Sequence, residues 1–431
     1  MHINQKLFDY IAACPTSFHA VANTADILKK QGYVQLCESQ EWKLSAGGRY
    51  FVTRNGSSLA AFRIPKKDFV GFMLAAAHSD SPCFKIKENA ELAGNAYIRF
   101  SVEKYGGMLC ASWMDRPLSV AGRAVVQTSG GVESLLVDFS EMTALIPSVA
   151  IHLNRNANEN AGFNAATDML PLYAYADSHR ISFKKQIADA LGVSEGDILA
   201  SDLYLYNRER GLEWNGLVAA PRLDDLQCAF AAQQAFCASK DGFSVPVYCL
   251  LDNEEVGSQT KQGAASTFLP DVLERICLSL GGDSSFYRRK LANSFFLSCD
   301  NAHAVHPNHP EYADANHSVY PNRGIVIKYH ASQKYSSDAV SAGIFEKLCR
   351  DAKVPVQYYA NRADMPGGST LGNIANTQIS LNTVDIGLAQ LAMHSALETA
   401  GAYDTEQMIQ ALTYYYGKSI RMEADGCYRV D

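Results

Sequence analysis

The stretch 247-VYCLLDNEEVGS-258 decides how this chain is read, because its two halves conflict. Val247 to Leu251 is an apolar run fit for a protein core, yet it leads straight into Asp252, Glu254 and Glu255. Crowded carboxylates repel, and burying them unpaired is costly. They need cations.

The apolar half has counterparts elsewhere. "FVGFMLAAA" (69–77), "VPVYCLL" (245–251), "NSFFLSC" (293–299), "GIVIKYH" (324–330) and "TQISLNTV" (377–384) all read as buried strands. Helical patterns lie between and after them. "RLDDLQCAFAAQQAFCAS" spaces Leu223, Leu226, Phe230 and Ala231 for one face, and "SDAVSAGIFEKLCRDA" opens on a Ser-Asp cap and stripes Val340, Ile344 and Leu348. "LAQLAMHSALETAG" reads as a helix stopped by Gly401. Apolar strands alternating with helices predict an α/β fold, a sheet covered on both faces.

The middle differs. Residues 91–220 carry shorter β-like pieces, such as "AYIRFSVEKY" and "GRAVVQTSG", with Gly-rich turns and a polar stretch, "HLNRNANENAGFNAATD". This predicts a second domain inserted into the first, whose own residues are 1–90 and 221–431. A length of 431 residues fits two domains, since single cores stop growing near ~250–300 residues.

The formal net charge of -7, without a long basic run, argues against nucleic acid as main partner. No apolar run approaches the ~20 residues of a membrane span. The N-terminal "MHINQKLFDYIAACPTSFHAV" reads as an amphipathic helix ending before Pro15 and lacks the long apolar centre of a signal peptide. Eleven cysteines, with no C-x-x-C pair, read as reduced core residues of a cytoplasmic protein.

Carboxylates and histidines recur where the expected strands end: His78 and Asp80, then Asp252, Glu254 and Glu255, then Asp300, then Asp385. Ligands of open α/β sheets bind beyond the carboxyl ends of strands. Oxygen and imidazole donors without cysteine suit Zn, Mn or Co. Of two adjacent glutamates, one can bind metal while the other moves a proton. The run holding His303, His306, His309 and His317 is broken by Pro307 and Pro310, and reads as a polar loop beside the site. "PGGST" (366–370) reads as a backbone turn lining it. No H-E-x-x-H, G-x-S-x-G or Walker motif is present.

The blocks "AAAHSDSPCFKIK", "PRLDDL", "LDNEEVGS", "CDNAHAVHPN", "DMPGGSTLG" and "QLAMHSALE" stand in an order and spacing that resembles the aspartyl aminopeptidase family, over essentially the whole chain. The resemblance implies a mixed central sheet with helices on both faces, the dinuclear zinc exopeptidase fold, plus a β-rich dimerising insert. It implies two divalent metals, zinc foremost, with Co or Mn also tolerated. His78 and Asp300 would bind one, Glu255 and His394 the other, and Asp224 both. Asp225 stands where the family often has Asn and receives no metal. Glu254 resembles the general base for a metal-activated water, and Asp80 the carboxylate that orients His78. His152 resembles a histidine that reaches a partner subunit's site and stabilises the oxyanion. Lys328 resembles the lysine that receives an acidic substrate side chain, with Asp364 and Met365 lining the same pocket. Peptides with a free acidic N-terminus would be the substrates, and a homododecamer built from dimers the assembly. A broader dinuclear aminopeptidase or deacylase, and a non-catalytic shell protein, are the alternatives. Asp252 is expected only to hold its loop through hydrogen bonds.

Overall fold

The apolar runs become four adjacent parallel strands, in the order Val245–Leu251, Phe72–His78, Phe295–Cys299 and Asn382–Gly387, at the middle of a nine-stranded sheet. The structure is a computed structural model describing residues 2–141, 143–159, 162–178 and 182–431. Every residue of the first three strands is buried, which requires cover on both faces. Side chains alternate across the pleat. Met73, Ala75 and Ala77 join the core beneath helices Ile3–Ala12, Leu223–Ala238, Ala339–Asp351 and Asp404–Tyr416. Phe72, Leu74 and Ala76 join the opposite core beneath Phe268–Ser279 and Leu371–Gln378. Ser58–Arg63 runs antiparallel to Val245–Leu251 and Ile325–Tyr329 antiparallel to Asn382–Gly387, so this α/β sheet is mixed.

Two local expectations are corrected. The strand expected over 377–384 begins only at Asn382, because Leu371–Gln378 is helical and seats Ala375 and Ile379 in the core. Asp385 therefore lies within the strand, not past its end. It is fully buried and accepts hydrogen bonds from Thr370 Oγ1 (2.5 Å) and the Ser336 N–H. "LAQLAMHSALETAG" is not a helix. Ala389–Leu391 and Glu398–Gly401 are antiparallel strands of a five-stranded sheet, flanked by Ala302–His303 and Leu217–Ala220. Pairing with these distant strands overrides the helical spacing.

The middle of the chain contains a six-stranded antiparallel sheet running from Cys83–Gly94 to Ile198–Asn207, packed around Phe84, Phe100, Trp113 and Phe183. Leu212–Trp214 and Leu217–Ala220 belong instead to the five-stranded sheet. Residues 160–161 of the polar stretch lie outside the described residues. All eleven cysteines are free, with Cys14, Cys228, Cys249, Cys277, Cys299 and Cys349 buried. Among the described residues no helix is long and apolar enough to cross a membrane.

Candidate metal centre

Register brings the polar residues together. Leu251 pairs with His78 and Ser298 with Ala76, so Asp252, His78 and Asp300 emerge at one edge of the sheet. Asp224 sits at the head of helix Leu223–Ala238 but keeps an extended backbone (φ -83, ψ 106). Its two oxygens face two histidines: Oδ1 lies 3.3 Å from His78 Nε2 and Oδ2 lies 3.4 Å from His394 Nε2. Glu255 Oε2 lies 3.4 Å from the same His394 nitrogen. Donor atoms of His78, Asp224, Asp225 and Asp300 fall within 4.8 Å of one another, as do those of Asp224, Glu255 and His394. Asp224 belongs to both groups. His78, Glu254 and Glu255 form a third.

The surroundings fix these side chains. His78 Nδ1 lies 3.0 Å from the Asp80 carbonyl oxygen and 3.5 Å from the Asp80 carboxylate. Orientation of His78 thus comes first from the Asp80 main chain. The Asp80 carboxylate instead accepts the Tyr105 hydroxyl at 2.6 Å and the N–H groups of Glu254 and Glu255 at 3.2 Å. It ties the glutamate loop to the His78 strand. Asp252 accepts the Asn253 N–H at 2.8 Å within that loop. Asp225 accepts the His78 N–H at 3.1 Å. His394 has Nδ1 2.7 Å from the Gly107 carbonyl oxygen, and its own carbonyl accepts the Leu109 N–H at 3.0 Å. The carboxylate of Glu254 takes no hydrogen bond from the described residues.

Charge in the cluster is unbalanced. Burial, with Asp224 beside it, pushes the Glu255 carboxyl well above its ordinary range. Burial and nearby Asp300 bring Glu254 to about 8, and burial brings Asp300 to about 6 although Lys328 opposes it. Burial also holds Asp225 high. Asp224 alone is driven down, the imidazoles of His394 and His78 beside it outweighing burial. Asp224 and Glu255 in turn raise His394 to about 10, against burial. Asp224 Oδ1, Asp225 Oδ1 and Glu255 Oε1 are buried without a hydrogen-bond donor. Orphaned carboxylate oxygens, imidazole nitrogens and excess negative charge are the donor set of a divalent transition metal, and the residues fit one.

Lys328 is buried. Its Nζ donates to the carbonyls of Asp300 (2.8 Å) and Asn301 (3.3 Å) and lies 3.9 Å from Asp300 Oδ1. Negative Asp300 raises its pKa against the effect of burial. Other expected residues stand apart from the cluster. His152 is exposed in a turn. Asp364 is exposed and forms a forked ion pair with Arg362, while Met365 is half-buried. In the histidine-rich loop, His309 contacts Glu311 at 3.1 Å and His317 contacts Asp314 at 2.9 Å. None of that loop's histidines joins a metal-competent group among the described residues.

Sequence reasoning missed three contributors. Tyr105 and Gly107 reach the cluster from the six-stranded sheet and the loop that follows its strand Tyr97–Tyr105, at sequence separations no local pattern encodes. Glu398 is 1% exposed and accepts the Asp224 N–H at 2.9 Å and the His394 N–H at 2.7 Å. A glutamate four positions after His394 was visible, but in the expected helix it had no reason to be buried.

Comparison with known proteins agrees with this geometry. Residues 10–416 match the family described as aminopeptidase I zinc metalloprotease (M18). A probable M18 family aminopeptidase 2 of Pseudomonas aeruginosa is 41% identical over 428 residues, spanning 97% of this chain and 98% of the relative. One of Clostridium acetobutylicum is 40% identical over 427 residues, spanning 96% and 98%. Among solved structures, a chain of the Ape4 and Nbr1 complex superposes with a TM-score of 0.92 at 34% identity, over 96% of this chain and 85% of that one. The S. cerevesiae mApe1 dodecamer gives 0.83 at 28% identity, over 96% of each chain.

Proposed function

Because the chain belongs to the M18 family of zinc metalloprotease aminopeptidases, we propose that it removes N-terminal acidic residues, Asp or Glu, from peptides. The observation that carries this reading is the pair of donor groups sharing Asp224, with Glu254 beside them. His78, Asp300 and one Asp224 oxygen would hold one divalent ion. Glu255, His394 and the other Asp224 oxygen would hold a second. Zinc is the first choice, and Co or Mn also suit the donors. When bound, such a pair supplies Lewis-acid polarisation of the scissile carbonyl and lowers the pKa of a water nucleophile.

The chain's own residues do the rest. Glu254 takes the water's proton and returns it to the leaving amine nitrogen. Its free carboxylate suits that exchange, and Asp80 fixes the backbone from which it projects. Two of the three Lys328 ammonium donors are engaged, leaving one for an acidic side chain. Asp364 and Met365 border the approach. His152 serves a neighbouring subunit by donating to the developing oxyanion, and its exposed turn leaves it free to reach across an interface. The insert, residues 91–220 in outline, makes the dimer, and dimers build a dodecamer in the cytoplasm; the S. cerevesiae relative is likewise a dodecamer.

The buried setting of Lys328 favours a second reading, in which it only neutralises Asp300 and neutral residues are cleaved equally well. Kinetics on Asp-, Glu-, Ala- and Leu-capped chromogenic substrates separate the two. Acidic preference lost in Lys328→Ala is expected, and an unchanged panel rejects the acidic pocket. Glu254→Gln should lower kcat by about 10²–10⁴-fold with metal still bound. Near-normal turnover in that variant rejects the assigned base.

A further inference from the structure

Two carboxylate oxygens, two backbone N–H groups and two ligand-bearing residues meet at Glu398. The side chain is buried, Oε2 accepting from Asp224 and Oε1 from His394. Its place in the fold explains the reach. Glu398 pairs with Ala220, the residue at the end of the strand that leads into the Asp224 helix. His394 lies in the turn that joins Ala389–Leu391 to Glu398–Gly401. That turn is strained: Ala392 (φ 54) and His394 (φ 66) hold the left-handed conformation without being glycine.

We propose that Glu398 is a positioning residue, a clamp that sets the His394 side of the metal centre against Asp224 and so governs the ion at Glu255 and His394. This rests on the two-ion reading above. Both partners of Glu398 are donors, so only a carboxylate satisfies both at once, with charge-assisted bonds. Glutamine of the same shape turns an N–H toward one of them. The His78 strand and Asp300 make no bond to Glu398, and they share its influence only through Asp224. Loss of the clamp is therefore unequal across the two ions.

The test compares wild type and Glu398→Gln as crystals equilibrated with limiting zinc, reading zinc occupancy at each position by anomalous scattering, with thermal melting to confirm folding. The expected result is affinity at the Glu255–His394 position weakened about 10–100-fold, the usual cost of removing a partner that orients a ligand, and a change of less than about threefold at His78–Asp300. Equal weakening at both positions, or none, overturns the clamp while leaving the two-ion reading intact. Fewer than two zinc positions in wild type removes that reading and the clamp with it. If Glu398→Gln does not fold, Glu398→Asp, which keeps both acceptors one methylene short, must show the same inequality or the proposal fails.

Discussion

His78 and His394 face the same carboxylate from opposite sides, yet they arrive by different routes. His78 ends a fully buried central strand; its side chain is 1% exposed, and the residues around it, Asp80 and Asp225, come from neighbouring elements of the same unit. His394 sits in a strained turn with its side chain 31% exposed. Its imidazole and carbonyl are held by Gly107 and Leu109, which follow the strand Tyr97–Tyr105 of the six-stranded sheet. One side of the centre is a product of the sheet's register. The other is assembled from a turn, a buried glutamate and a loop that leaves the six-stranded sheet.

Breaking the shared residue should have the largest effect. Asp224→Ala removes a donor from both groups, and binding of both ions with all measurable hydrolysis is expected to go; metal analysis and turnover check it. His394→Ala should be more selective, leaving one ion per chain at His78–Asp300, as equilibrium dialysis would read. Loss of both ions there would erase the distinction between the two sides.

Smaller changes probe the share of the six-stranded sheet. Gly106 adopts φ +75, and an added Cβ would stand 3.1 Å from Glu255 Cβ. Gly106→Ala should cost about 1–2 kcal/mol in backbone strain and lower affinity on the His394 side first. Denaturant melts and a zinc titration measure both. Tyr105→Phe deletes the bond to Asp80 and the one from Asn253 Nδ2 at 2.9 Å, with about 1–3 kcal/mol of stability expected to go because buried Asp80 loses a donor. Its kcat should fall less than that of Glu254→Gln, since the Glu254 and Glu255 N–H bonds to Asp80 remain.

The same contrast separates what the sequence discloses from what it hides. Apolar runs end in His78, Asp252 and Asp300 because buried strands must terminate where polar groups meet solvent or metal, and that pattern is local. The donor groups around Asp224 were assembled from a family resemblance, and the fold places those side chains together. The hairpin at Ala389–Gly401 was hidden, since Leu388, Leu391 and Ala396 sit at helical spacing, and only the pairing of Glu398–Gly401 with Leu217–Ala220 on one side and Ala389–Leu391 on the other makes strands here. Asp385 was misplaced because the text of a helix, Leu371–Gln378, runs into the strand without a break in polarity. Tyr105 and Gly107 act on residues far away in sequence, so no window contains both partners.

The most direct test is to count metal in the wild-type protein while activity returns. Stripped of metal and titrated with zinc, the enzyme should bind two equivalents per chain and hydrolyse an acidic N-terminal substrate fully only with the second. Saturation of both binding and activity at a single equivalent would contradict a centre built on two sides of Asp224.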